Sequence, residues 1–318
     1  MEKETKTVRD IARDMETSID EKVIGSKRIV RFMLISLFTS NHILMEGVPG
    51  LAKTMLASEF SKHLGLQFKR IQFTPDMLPS DVTGNMIFNP ETKKMEFREG
   101  PVFSNIVLAD EINRTPPKVQ SALLESMEEK QVSVYGITTR LPSPFLVIAT
   151  QNPIEQEGTF PLAEALMDRF LFRYYLDYPD RDDELRILNS VYKNDAQVYN
   201  KLDSDTILAF RKMVENIYVN EDIIEYIINI IRKTRESEMV FVGASTRTAV
   251  KYLHAARANA LLSGRSYVIP EDVIFMAREI LNHRLILRPE ALMDADADYK
   301  KIIYDVIDSI INSVEAPQ

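Results

Sequence analysis

The chain has 318 residues, 45% hydrophobic and 27% charged, with a formal net charge of −8 and no cysteine. Length and composition fit a globular protein of two domains. The missing thiols exclude disulfides and cysteine chemistry and suit a reducing compartment. The acidic excess is spread over both halves, which argues against nucleic acid as a partner on bulk electrostatics. The start, Met1-Glu2-Lys3-Glu4-Thr5, is polar, and the longest apolar stretch, near 32–38, is too short for a bilayer. The expectation is a cytoplasmic protein without membrane insertion.

Residues 5–40 read as two helices, the second over 27–39 with Ile29, Val30, Met33, Leu34 and Leu37 at helical spacing. Between them, Val23-Ile24-Gly25 forms an apolar turn. It packs on a nucleotide base or simply joins the helices. The apolar strand His42-Ile43-Leu44-Met45 then leads into Glu46-Gly47-Val48-Pro49-Gly50-Leu51-Ala52-Lys53-Thr54, and a helix beginning Met55-Leu56 leads out. Strand, glycine-bearing turn, Lys-Thr and helix is the arrangement of a phosphate-binding loop. Its N–H groups converge on one volume with no intrahelical partner. There Lys53 reaches the terminal phosphates and the Thr54 hydroxyl holds Mg2+. The usual pattern has a second glycine where this chain has Ala52.

Residues 68–73 alternate as a strand does, and 84–101 read as an inserted hairpin around Asn89-Pro90-Glu91-Thr92. Ile106-Val107-Leu108 is a continuous apolar run, the pattern of a central parallel strand, and it ends at Asp110-Glu111. Strand C-termini face the ligand crevice of a parallel α/β sheet. Asp110 is therefore expected beside Mg2+, and Glu111 where it orients or deprotonates water. A helix over 116–130, a second hairpin over 131–140 and a buried strand over 145–150 follow, ending at Gln151-Asn152-Pro153. Asn152 at a strand end beside Asp110 is placed to bond the attacking water or the terminal phosphate. A turn-forming Asn-Pro explains the same residues equally well. Arg169 falls near a helix end, just before a strand over 171–176, and its position alone gives it no role. From about residue 180 strand signals nearly vanish. Helices are expected near 184–192, 205–218, 221–236, 246–262, 270–281 and 298–313. The expected division is an α/β nucleotide-binding core over 1–179 and a helical lid over 180–318. The four histidines show no metal-ligand spacing.

Taken in order, these segments resemble the MoxR family of AAA+ ATPases over nearly the whole chain. Gly47-Val48-Pro49-Gly50-Leu51-Ala52-Lys53-Thr54 is similar to the family's Walker A, alanine included. Asp110-Glu111-Ile112-Asn113-Arg114 resembles its Walker B, and the stretch from Ala149 to Thr159 its sensor 1. Asp168-Arg169-Phe170 is similar to the arginine-finger segment, and Gly243-Ala244-Ser245-Thr246-Arg247 to sensor 2, with Thr246 in place of the more usual proline.

The resemblance implies an AAA+ P-loop NTPase: a parallel αβα core with a helix-2 insert and pre-sensor-1 hairpin, then a small all-helical lid. It implies ATP and Mg2+ held by residues 47–55 (through Met55), Asp110, Ile24 and Gly25. It also implies a homo-oligomer, a hexameric ring, in which Glu111 activates water and Asn152 positions it. Arg169 would come from the neighbouring subunit, and Arg247 would contact the γ-phosphate from the lid. Partners implied are a client protein or a von Willebrand A domain protein, with metal insertion or complex assembly as the task. A helicase-type nucleic-acid motor is the alternative the resemblance implies, since related AAA+ clades use similar hairpins on DNA; Lys93, Lys94, Arg98, Lys130 and Arg140 lie in or beside the inserts, where solvated hairpin ends explain them better than phosphate contacts. Asn200-Lys201-Leu202-Asp203 is like the base-reading motif of G proteins but is expected in the helical lid, not at a sheet strand end, and is read as chance.

Overall fold

A computed structural model describes residues 2–153, 158–190, 201–292 and 298–317. In chain order its elements are α1 (Glu2–Lys22), α2 (Lys27–Phe38), β1 (His42–Glu46), α3 (Lys53–Lys62), β2 (Phe68–Gln72), α4 (Pro79–Thr83), β3 (Gly84–Asn89), β4 (Lys94–Glu99), β5 (Ile106–Asp110), α5 (Pro117–Glu129), β6 (Gln131–Val134), β7 (Ile137–Arg140), β8 (Leu146–Gln151), α6 (Glu164–Met167), β9 (Phe170–Tyr175) and α7 (Arg181–Ser190). After these come α8 (Ser204–Glu215), α9 (Glu221–Glu236), β10 (Val240–Val242), α10 (Thr246–Leu262), α11 (Pro270–Leu281), β11 (Ile286–Leu287) and α12 (Tyr299–Asn312).

The principal sheet has the order β2-β5-β8-β1-β9. Its β2/β5, β5/β8 and β8/β1 pairings are parallel. Every residue of β1 and β5 is buried, and so are the first five of β8. This is why they read as unbroken apolar runs: both faces of a central strand are covered. The edge strand β2 buries Ile71 and exposes its neighbours, which gives the alternation. From β1 the chain crosses to the far edge and returns through β5 and β8. The C-terminal ends of β1, β5 and β8 therefore share one rim, with Met45 opposite Thr150 and Gln72 opposite Asp110. Below the rim, Leu44, Val107, Ala109, Val147 and Ala149 pack in one core with Val119 and Leu123 of α5.

Two antiparallel hairpins, β3/β4 and β6/β7, lie outside this sheet, within the stretches where the sequence signalled inserts. The β6/β7 turn is Tyr135-Gly136, both with positive φ (51° and 81°), which matches the twist of its strands. Gly84, at the base of β3, is required by its surroundings: its φ is 95°, and an added Cβ would lie 2.2 Å from the Arg98 carbonyl oxygen.

The chain falls into two compact units. The larger comprises Arg13–Phe170 with Tyr174–Leu208, the smaller Met1–Ala12, Leu171–Arg173 and Ala209–Gln318. This differs from the division expected near residue 180. Arg186 of α7 pairs with the buried Asp20 at 2.8 Å, and Leu202 bridges in parallel to Leu64, so residues up to 208 stay with the larger unit. The smaller unit is helical as expected, with one addition. β10 and β11 form a short antiparallel pair, too brief to give an alternation signal. Asp272, at the start of α11, accepts bonds from Arg265, Asn259 and the Ile269 N–H, and the Tyr252 hydroxyl donates to the Val273 carbonyl. Of the helix expected over 184–192, the last two residues lie outside the described residues, as do Asn200 and residues 154–157. Among the described residues no helix is long and apolar enough to cross a membrane.

His42 sits at the head of β1. Its Nδ1 accepts the Val147 N–H at 3.0 Å, so Nε2 carries the proton toward the Met127 carbonyl at 3.4 Å. His42→Leu keeps the bulk but orphans a buried N–H. It should lower stability by about 1–3 kcal/mol, read as a lower denaturant midpoint with unchanged slope.

Candidate functional site

The loop between β1 and α3 turns back on itself because Gly47 and Gly50 permit it. A Cβ on Gly47 would lie 2.9 Å from the Leu176 carbonyl oxygen, and Gly50 has φ 89°. Ala52 also adopts the left-handed conformation, with φ 52° and ψ 22°, immediately before the first turn of α3. This is the position where the usual pattern has glycine, and alanine here accepts a backbone strain of about 1–2 kcal/mol.

The ammonium of Lys53 folds over the loop and donates to the carbonyl oxygens of Gly47 and, at 3.1 Å, Val48. Burial pushes its pKa below the ordinary lysine range, while Asp110, Glu111 and Glu46 pull it back up. An arriving anion would supply the compensation that burial removes.

Asp110, at the end of β5, is the hub of the rim. The Thr54 hydroxyl donates to its Oδ2 at 3.0 Å, and the Thr150 hydroxyl donates to its Oδ1 at 2.5 Å. Arg70 of β2 donates to Oδ2 from both Nε and Nη2, at 3.0 and 2.7 Å. Thr150 also accepts the Glu111 N–H at 2.9 Å, which fixes the backbone where Glu111 turns left-handed with φ 57°. The Glu111 carboxylate accepts from Gln72 at 2.7 Å and from Arg114 at 3.0 Å.

A cavity of about 410 Å³ opens over this cluster. Its lining includes Pro49, Gly50, Leu51, Ala52, Lys53, Thr54, Met55, Asp110, Glu111 and Asn152. Asn152 is buried, and its carbonyl accepts from the Asn113 side chain at 3.1 Å. A second cavity of about 530 Å³ shares Gly50, Leu51, Ala52 and Met55 with the first and extends to Val23, Ile24, Gly25, Tyr174 and Tyr178. The turn at Ile24 and Gly25 is held by Asp20, whose Oδ1 accepts the Ser26 N–H at 2.9 Å. One cavity is thus lined by phosphate-binding chemistry and the next by an apolar turn and tyrosines, a division that suits a nucleotide.

Two oxygens of unlike kind, the Thr54 hydroxyl and the Asp110 carboxylate, meet at the loop. This donor set fits Mg2+, which takes few protein oxygens beside phosphate and water. Among the described residues no cluster of three or more His, Cys, Asp or Glu side chains has the makings of an all-protein metal cage.

The two remaining expected residues belong one to each unit. Arg169 follows α6 and forms an ion pair with Glu128 of α5; it lines neither cavity. Arg247 is the second residue of α10 in the smaller unit and is exposed. Thr246 opens that helix in place of proline, and Ser245 caps it by accepting the Thr248 N–H. Asp203, of the string like a G-protein motif, accepts the Thr206 N–H at the start of α8. Sequence reasoning missed Arg70, Gln72, Arg114 and Thr150. Arg70 and Gln72 stand two apart on one face of the edge strand, and only the register of β2 against β5 brings them to Asp110 and Glu111.

Comparison with known proteins gives the family and the fold. Residues 42–172 match the model of the ATPase family associated with various cellular activities (AAA), and residues 232–303 match an AAA lid domain. The chain is 46% identical to the uncharacterized protein YeaC of Bacillus subtilis, over 86% of each chain. It is 41% identical to chaperone MoxR1 of Mycobacterium tuberculosis, over 93% of this chain and 80% of that one. The crystal structure of a putative ATPase from Cytophaga hutchinsonii superposes with a TM-score of 0.88 at 40% identity, covering 100% of this chain and 98% of the other.

The strained Ala52 gives a direct check on the loop. Ala52→Gly relieves the left-handed penalty but adds freedom to the unfolded chain. The net expectation is a gain of about 0.5–1 kcal/mol in the nucleotide-free protein, measured by equilibrium unfolding.

Proposed function

The chain belongs to the MoxR family of AAA+ ATPases, and we propose that it hydrolyses ATP at the subunit interfaces of a homo-oligomeric, hexameric ring to remodel or activate partner proteins. The observation that carries this reading is the meeting of Lys53, Thr54, Asp110, Glu111 and Asn152 around one cavity that shares lining residues with a second, lined by an apolar turn and tyrosines.

ATP lies with its phosphates against residues 47–54 and its base beside Ile24 and Gly25. The loop N–H groups and Lys53 take the charge of the β- and γ-phosphates. Thr54 and Asp110 would hold Mg2+, which would supply neutralisation of phosphate charge. Glu111 takes a proton from water as its oxygen attacks the γ-phosphorus, and the bond to the β–γ bridging oxygen breaks. Asn152 positions that water. For Glu111 to act, its carboxylate must come free of the bonds from Gln72 and Arg114.

Arg169 lines neither cavity of its own chain's larger unit, which supports its use on a neighbour's nucleotide. To serve there it has to leave Glu128. Arg247 would report the γ-phosphate to the helical unit, and hydrolysis would then change that contact. The exposed apolar side chains of the hairpins, Phe88, Met95, Tyr135 and Ile137, offer contact to a client. The chaperone name of a relative supports a protein client, whether that client is a von Willebrand A domain protein, an assembling complex or an enzyme awaiting its metal.

Lys53→Ala should abolish binding of a fluorescent ATP analogue at concentrations that saturate the wild type. Arg169→Ala should keep wild-type ATP binding and lose about 10^3–10^5 in hydrolysis rate. Normal turnover by the Arg169 variant would overturn the interface assignment.

A further inference from the structure

Arg70 does more than line the site. Its Nε and Nη2 both donate to one oxygen, Oδ2 of Asp110, and Nη2 also donates to the Gln72 side-chain oxygen at 2.6 Å. Gln72 in turn donates to Glu111. The Asp110 side chain is 7% exposed and the Arg70 side chain 49%. A carboxylate buried that far needs hydrogen bonds and a cation. Its other oxygen is engaged by Thr150, so the charge-bearing contact falls on Oδ2, the same oxygen that Thr54 touches.

Thr54 and Asp110 are also the two residues that would hold Mg2+. A guanidinium making two bonds to Oδ2 and a divalent cation beside that oxygen would compete for one place, and the two cations repel at that distance. Arg70 is half solvated, so its withdrawal uncovers little apolar surface. We infer that Arg70 is a placeholder cation: it neutralises Asp110 while the metal place is empty and gives way when Mg2+ arrives with nucleotide. Its departure also removes the donor from Gln72, the residue that restrains Glu111. Arg70 is thus a positioning residue, and its role rests on the reading of Thr54 and Asp110 as the metal-holding pair.

The test uses the full chain, stripped of metal and nucleotide, with fluorescent ADP as probe and Mg2+ as titrant. Because ADP is not turned over, the readout is binding alone. A competitor that occupies the place nine-tenths of the time weakens apparent affinity about tenfold. Arg70→Ala should therefore lower the Mg2+ concentration for half-maximal ADP binding by about tenfold. Arg70→Lys, which keeps a charge but loses the two-pronged contact, should fall between. In metal-free buffer Arg70→Ala should melt below the wild type, and saturating Mg2+ with ADP should close that gap. An unchanged or higher Mg2+ requirement in both variants overturns the placeholder role while leaving the metal assignment intact. If Arg70→Ala does not fold, Arg70→Lys decides alone by the same criterion. A wild type whose ADP binding ignores Mg2+ overturns the metal assignment and the placeholder with it.

Discussion

The buried carboxylate of Asp110 is the constraint on which the rest of the site depends. It ends a strand that is inaccessible at every residue, so it comes out of water with its charge and must be met by donors from around it. Those donors come from three directions: Thr54 at the start of α3, Thr150 on β8 and Arg70 on β2. Meeting them fixes the phosphate-binding loop against β5 and sets β2 and β8 in register on either side. The same Thr150 hydroxyl holds the Glu111 backbone, so Asp110 and Glu111 are positioned by one side chain. A parallel sheet makes this economical, since all its strands deliver their C-terminal residues to one rim.

The fold was legible where burial writes itself into sequence. Ile106-Val107-Leu108 and Phe145-Leu146-Val147-Ile148 are unbroken apolar runs because both faces of β5 and β8 are covered. Phe68 to Gln72 alternates because β2 lies at the edge. The loop was legible because lysine, threonine and glycine at that spacing have few other uses. Ala52 looked like a defect and proved to be a strained residue in the place of a glycine.

What stayed hidden depended on residues far apart in sequence. Nothing in Arg70 by itself points to Asp110, forty residues on; the register of β2 against β5 makes the contact. The compact units part near residue 208 and not near 180: α7 reads as the first of many helices, whereas Arg186 pairs with Asp20 and Leu202 bridges to Leu64 within the larger unit. The β10/β11 pair, of three and two residues, is shorter than any alternation that sequence can display.

On the proposed reading the cavity residues hold the nucleotide, and Arg169, which pairs with Glu128 in its own chain, serves a neighbour. The most direct measurement is the solution mass of the Glu111→Gln protein with and without Mg–ATP, alongside wild-type ATPase activity against protein concentration. The account predicts a hexamer-sized species with ATP, and specific activity that rises with concentration as sites are completed by neighbours. A monomer whose hydrolysis is independent of concentration would contradict it.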